Sequence, residues 1–329
     1  VEMTHLLRER GVSVMPDQML ITTGAMQAIS LVTQALADTG DTVLIEEPSY
    51  LGIIHLLKIR GINAVAVPMD SDGPDLDAMD ALIKAYKPRF FYTMPGFQNP
   101  TGYLMSATRR HALIRLANRH KLMIVEADIM GQLAYDAPAP PALRALDDGV
   151  VHIGSFSKML MPGLRIGYVV APPKLHHCLL SLRMANDLYG ASFVQRALAN
   201  FIHLGRFKAH LRRTIPIYGA RRDAMLSALN RYMPGGVTWT HPAGGFSLWL
   251  TLPHSNMSAI YRRALQHGLA FTPGTAFLTD SSDNQHLRLC YSAQPVEEID
   301  SLVELLADLI RAQGDRQQDL TTPLWAPMS

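Results

Sequence analysis

Short aliphatic and β-branched runs alternate along the first half of the chain with longer segments whose apolar positions recur at helical spacing. MLIT (19–22) precedes a helical pattern with Ile29, Val32 and Leu36 on one face, and TVLIE (42–46) precedes a helix over about 49–60. NAVAV leads to a helix after Asp75, RFFYTM to one after Ser106, and LMIVEAD, VVHIGS and IGYVV follow. Strands alternating with helices predict an α/β fold, a mostly parallel sheet covered on both faces. In such sheets ligands sit at the carboxyl ends of the strands.

Beyond Pro172 the pattern turns helical. Residues 206–233 predict a long helix broken or bent at Pro216, because proline lacks an N–H and crowds the preceding turn. The strand-like GGFSLWLTLP, a helix over 258–267, HLRLCYS and a terminal helix over 295–312 predict a smaller α+β unit. The polar, Pro-containing stretch after it predicts a frayed tail. The opening VEMTHLLRERG predicts the tail of a helix ending at Gly11, and with no Met at position 1 a natural N-terminal part is expected to be missing.

Composition narrows the class. Charged residues are 18% of 329, below the usual quarter or so, so a large core and a surface covered by a subunit partner are expected. A net charge of +2 gives no argument for nucleic acid. Cys178 and Cys290 allow neither a disulfide framework nor a zinc site, and fit a reduced cytoplasmic chain. No run approaches a membrane span.

Candidate chemistry falls just after the strands. In TTGAMQ the N–H groups of Ala25 and Met26 open a helix, where free donors and the helix dipole attract an anion, although an ordinary strand-to-helix turn has the same letters. In EEPSY, Tyr50 could cover a flat ligand or simply pack. NPTG points Asn99 at the same sheet edge or makes a structural turn. In SFSKMLMPGLR, Ser155, Ser157 and Arg165 suit a phosphate dianion, which leaves Lys158 as the extra cation. An ammonium is disfavoured in an apolar, cation-rich pocket, and its neutral form attacks carbonyls. The Met-, Leu- and Gly-rich surroundings argue against full exposure of Lys158; a surface salt bridge is the plain alternative. Arg288, inside an apolar strand, is a clamp for a substrate carboxylate or half of a structural ion pair. Ser155 and Lys158 also spell Ser-x-x-Lys, with SDN at 282–284, as in penicillin-recognising serine enzymes; no Lys-Thr-Gly accompanies them, and Pro162 and Gly163 interrupt the helix that motif needs.

Taken in order, TTGAMQ, EEPSY, NPTG, SFSKMLMPGLRIGY, GGFSLWL, FTPGTAF and LRLCYS resemble fold type I pyridoxal-phosphate enzymes of aminotransferase class I/II over about residues 1–312. The lysine motif is similar to that of 2-aminoadipate/kynurenine-type aminotransferases and of the aminotransferase-like domain of MocR-type (GntR family) regulators. The resemblance implies a large cofactor-binding domain over 1–215, a small domain over 216–312 and a flexible tail over 313–329. It implies that Lys158 carries pyridoxal 5'-phosphate and moves a proton at the substrate Cα. Ala25, Met26, Ser155, Ser157 and Arg165 would hold the phosphate, Tyr50 would stack on the ring, Asn99 would bond the ring hydroxyl and lie next to the substrate, and Arg288 would hold the α-carboxylate. It further implies amino acid and 2-oxo acid substrates in a cytoplasmic homodimer. The alternative is the cofactor-binding effector domain of a regulator with little turnover, with DNA as a partner only if a winged helix precedes it.

In one place the chain departs from the pattern. The family shows Glu-Asp-Asp-x-Tyr after the strand before the lysine motif; here the stretch is VEADIMG, with Ala127 and Met130 at the aligned positions. Asp128, one residue along a strand, points to the opposite face, and is expected to reach the ring nitrogen only if the strand ends or bulges there.

Overall fold

The computed structural model describes residues 1–252, 256–280 and 285–314. The SDN stretch and most of the expected tail lie outside these.

Helix α1 (Glu2–Glu9) ends before Gly11, whose φ of +78° turns the chain. Then β1 (Met19–Thr22), α2 (Ala25–Leu36), β2 (Thr42–Glu47), α3 (Leu51–Ile59), β3 (Asn63–Asp70), β4 (Gly73–Pro74), α4 (Leu76–Tyr86), β5 (Phe90–Thr93), α5 (Ala107–His120) and β6 (Met123–Ala127) realise the alternation read from the sequence. The short α6 (Leu143–Leu146) precedes β7 (Val151–Ser155) and β8 (Gly167–Val170). Local signals fix helix starts: the Asp75 carboxylate accepts from the N–H of Asp77 and Ala78 at 3.0 Å, and Ser106 Oγ from that of Arg109 at 3.1 Å.

These eight strands form one sheet in the order β1-β8-β7-β6-β5-β2-β3-β4. The central β7, β6, β5, β2 and β3 are parallel, while β8 is antiparallel to both β1 and β7. Both faces are covered, as the continuous apolar runs require. In β2, Val43 and Ile45 enter one core cluster and Leu44 another, all fully buried. Each such side chain contributes about 1.5–3 kcal/mol.

Helices α7 (Pro173–Asp187) and α8 (Ser192–His203) lead to α9 (Arg206–Tyr232). Of the break or bend expected at Pro216, the break does not occur: α9 runs through it. Pro216 and Arg212, whose carbonyl loses its partner, are both exposed, so water can replace the missing bond. Then β9 (Thr238–Trp239), β10 (Ser247–Thr251), α10 (Met257–Gln266), β11 (Thr272–Pro273), β12 (His286–Cys290) and α11 (Val296–Gly314) follow. The four strands make an antiparallel sheet, ordered β11-β12-β10-β9, whose core cluster includes Leu248, Leu250, Leu287 and Leu289 with Ile299 and Leu306 of α11.

Candidate active site

At the end of β1, Thr22 Oγ1 donates to the carbonyl of Gly24 at 3.0 Å, which curls the chain into α2. Gly24 has φ +106°, and a Cβ there would lie 2.8 Å from the guanidinium of Arg165, so the position needs glycine twice over. Thr23 is held on both sides: its N–H donates to Gln27 Oε1 at 2.8 Å and its carbonyl accepts from Arg165 Nη2 at 3.0 Å. The first N–H groups of α2, those of Ala25 and Met26, have no carbonyl partner within the helix, and no side chain caps them.

At the end of β7, buried Ser155 donates through Oγ to the Ile166 carbonyl at 3.3 Å and accepts from the Ser157 N–H at 3.2 Å. Ser157 Oγ is buried and has no partner. Lys158 sits in the turn that follows and is exposed, while it also lines the cavity described below. It makes no hydrogen bond or ion pair with any described residue, so the salt-bridge alternative falls away. Arg165 lies in the left-handed region at φ +50°, a costly conformation that aims its guanidinium back at Gly24.

A cavity of about 240 Å³ gathers these groups: Ala25, Met26, Tyr50, Asn99, Ser155, Ser157, Lys158 and Arg165 all line it. A larger cleft of about 350 Å³ lies between α1 and α8 and has no lysine, tyrosine or asparagine in its wall. Arg288 stands next to the smaller cavity. Its Nη1 donates to Asn99 Oδ1 at 2.9 Å, its Nη2 to Thr272 Oγ1 at 3.1 Å, and its guanidinium lies 4.9 Å from the ring centre of Phe277. No carboxylate among the described residues pairs with it, and its Nε is buried without a partner. Burial lowers its pKa. Burial raises the pKa of the Tyr50 hydroxyl, against the opposing pull of Arg288 and Arg165, so both guanidiniums are within electrostatic reach of that ring.

Asp128 is the exception among the expected site residues, and the expectation that it serves the cofactor is corrected. Strand β6 does end at Ala127, yet Asp128 does not line the cavity. Its Oδ2 accepts from Arg10 Nη2 at 3.1 Å, and its Oδ1 is buried with no partner. Burial works to raise its pKa, but Arg10, with His152 and Arg110, outweighs this and leaves it lowered.

Several residues were missed by sequence reasoning. Tyr92, Met94, Ile29 and Ile129 line the cavity, and Met130 does so where the resemblance expects a tyrosine. The Tyr92 hydroxyl is buried without a partner, and its pKa is driven well up by burial, then by Tyr50 and Glu46. No alternation in RFFYTM singles it out, because all four residues of β5 are buried. Beneath it, burial pushes Glu46 up to about 7, although Thr93, the Met94 N–H and Gln98 all donate to its carboxylate.

The profile of the family described as aminotransferase class I and II matches residues 2–306. The 2-aminoadipate transaminase of Thermus thermophilus is 36% identical over 294 residues, which span 88% of this chain and 74% of that protein. An uncharacterised HTH-type transcriptional regulator of Bacillus subtilis, YisV, is 32% identical over 309 residues, spanning 93% of this chain and 63% of the regulator. Among solved structures, the α-aminoadipate aminotransferase LysN of Thermus thermophilus, complexed with N-(5'-phosphopyridoxyl)-L-leucine, superposes with a TM-score of 0.90 at 34% identity, covering 95% of this chain and 82% of that one.

Proposed function

The chain belongs to the aminotransferase class I and II family, and we propose that it is a pyridoxal-phosphate-dependent aminotransferase that moves an amino group from an α-amino acid to a 2-oxo acid. The observation that carries this reading is the single cavity at the strand ends, where Lys158 stands beside Ser155, Ser157, Arg165 and the start of α2.

The residues present fit the cofactor's phosphate and aldehyde. The orphaned Ser157 hydroxyl, the free N–H groups of Ala25 and Met26 and the Arg165 guanidinium make a cradle for a phosphate dianion. When bound, pyridoxal phosphate supplies an aldehyde that condenses with amines and a ring that draws electrons from the substrate Cα. Lys158 would hold the cofactor through Nζ and would move the proton at the substrate Cα. Tyr50 would cover the ring face, and Asn99 would bond the ring hydroxyl. Arg288, already poised against Asn99, orients the substrate through its α-carboxylate. Stacking and clamping hold the reacting bond in place, which is where much of the rate of such a site originates.

A second copy of this chain is the proposed partner. Leu180, Met184 and Leu188 repeat at four-residue spacing on and just beyond α7, and with Tyr189 and Phe193 they are 41–84% exposed, an apolar stripe that a subunit would cover. Both cysteines are free, which supports a reducing, cytoplasmic setting. Among the described residues no helix is long and apolar enough to cross a membrane.

A second reading is favoured by the lack of an acid in the cavity wall among the described residues: an effector domain that holds the cofactor with little turnover, as part of a regulator of the YisV kind. Assays with pyridoxal phosphate, 2-oxoglutarate and a panel of amino acids, 2-aminoadipate first, test the enzyme reading. Amino transfer that disappears in Lys158→Ala is the expected result; a wild-type chain that transfers from none of the panel contradicts it.

A further inference from the structure

Successive side chains of β6 alternate between the faces of the sheet. Val125 and Ala127 enter the core cluster that also holds Ile29, Tyr92 and Met94, three residues of the cavity wall. Glu126 and Asp128 alternate with them and find other partners. Glu126 is fully buried and accepts from the N–H groups of Leu143 at 2.7 Å and Arg144 at 3.2 Å, with His152 Nδ1 at 2.8 Å. Asp128 is taken by Arg10. Ala127, on the face shared by Val125 and by the cavity residue Ile129, therefore carries a methyl group, between two acids committed elsewhere.

The wall itself contains no Asp or Glu among the described residues, and it does contain the cations Lys158 and Arg165. Glu46, at the end of β2, is bound by Thr93, Gln98 and the Met94 N–H. A pyridine nitrogen keeps its proton in a protein when an anion pairs with it; nearby cations and a dry wall favour the neutral form.

We propose that pyridoxal phosphate sits in this cavity with its ring nitrogen unprotonated, because Ala127 occupies the place from which an acid would reach it. The proposal rests on the cofactor reading above. A neutral ring draws electrons from the substrate Cα less strongly, so removal of the Cα proton by Lys158 is slowed while the phosphate cradle keeps its hold on the cofactor.

The test is to load the chain with cofactor carrying nitrogen-15 in the ring and record the resonance of that atom. Unprotonated pyridine is expected in the wild type, and a shift toward pyridinium in Ala127→Asp, with Ala127→Asn as the uncharged control. A pyridinium resonance in the wild type overturns the proposal. Should the buried aspartate prevent folding, the wild type alone still decides: an analogue with C–H in place of the ring nitrogen is expected to bind within about twofold of the cofactor. An analogue weaker by about tenfold or more, some 1.4 kcal/mol, overturns the proposal. If neither compound is retained by the protein, the cofactor reading itself fails, an outcome distinct from a pyridinium signal.

Discussion

Arg10 Nη2 lies 3.1 Å from Asp128 Oδ2, and this bond joins the loop after α1 to the end of β6 across 118 positions of sequence. Both side chains are nearly buried, at 12% and 7% exposure. The bond holds the acid that follows β6 away from the cavity. Removing one partner of such a pair strands the other charge, at a cost of about 3–5 kcal/mol. Arg10→Met is therefore expected to lower the unfolding free energy by about that amount, read from denaturant titration. Adding Asp128→Asn should recover a good part of it, because the stranded charge is then gone.

Gly24 tests the phosphate cradle. Alanine there combines a left-handed φ of +106° with a Cβ 2.8 Å from Arg165 Nη2, and strain of this kind costs about 1–3 kcal/mol. Gly24→Ala should weaken cofactor binding by about tenfold or more, the equivalent of about 1.4 kcal/mol, measured by cofactor titration. Unchanged affinity would mean that the turn is not part of the cofactor site.

Arg288 tests the substrate clamp. A charge-assisted hydrogen bond contributes about 1.5–3 kcal/mol, so Arg288→Gln should raise KM for the amino acid by about ten- to a hundredfold and leave cofactor affinity little changed. A variant with unaltered KM would assign Arg288 to the support of Asn99 alone.

Glu46 gives the fold a pH dependence. Its pKa rises from 4.5 when exposed to about 7 in the buried site, with desolvation the largest cause. The folded state then binds the proton more tightly than the unfolded chain, so the stabilisation is full below 4.5 and is lost as pH rises through about 7. The difference amounts to about 3 kcal/mol at 1.36 kcal/mol per unit. Glu46→Gln should flatten the fall in stability across that window, measured by urea unfolding at a series of pH values.

How far the sequence disclosed this arrangement depended on distance along the chain. Ser155, Ser157, Lys158 and Arg165 were legible together because one strand end and its turn carry them all. Ala25, Tyr50 and Asn99 were legible because each follows a strand. The fate of Asp128 was not, since alternation said only that it faces away from Ala127, and its partner Arg10 lies at the other end of the unit. Tyr92 was hidden inside an apolar strand whose letters look like plain core. The exposure of Lys158 could not be read from its neighbours, because their apolar side chains turn into the core and leave the turn outside. That α9 is not broken at Pro216 was not legible, because a local rule about proline says nothing of the exposure of the helix there.

The measurement that bears most directly on the central claim is the covalent attachment point of the cofactor. The chain would be loaded with pyridoxal phosphate, reduced with borohydride, digested and mapped by mass spectrometry. The expected result is the phosphopyridoxyl group on the peptide carrying Lys158, and its loss from that peptide in Lys158→Ala. A label spread over other lysines, with none enriched at Lys158, would contradict the assignment of the cavity.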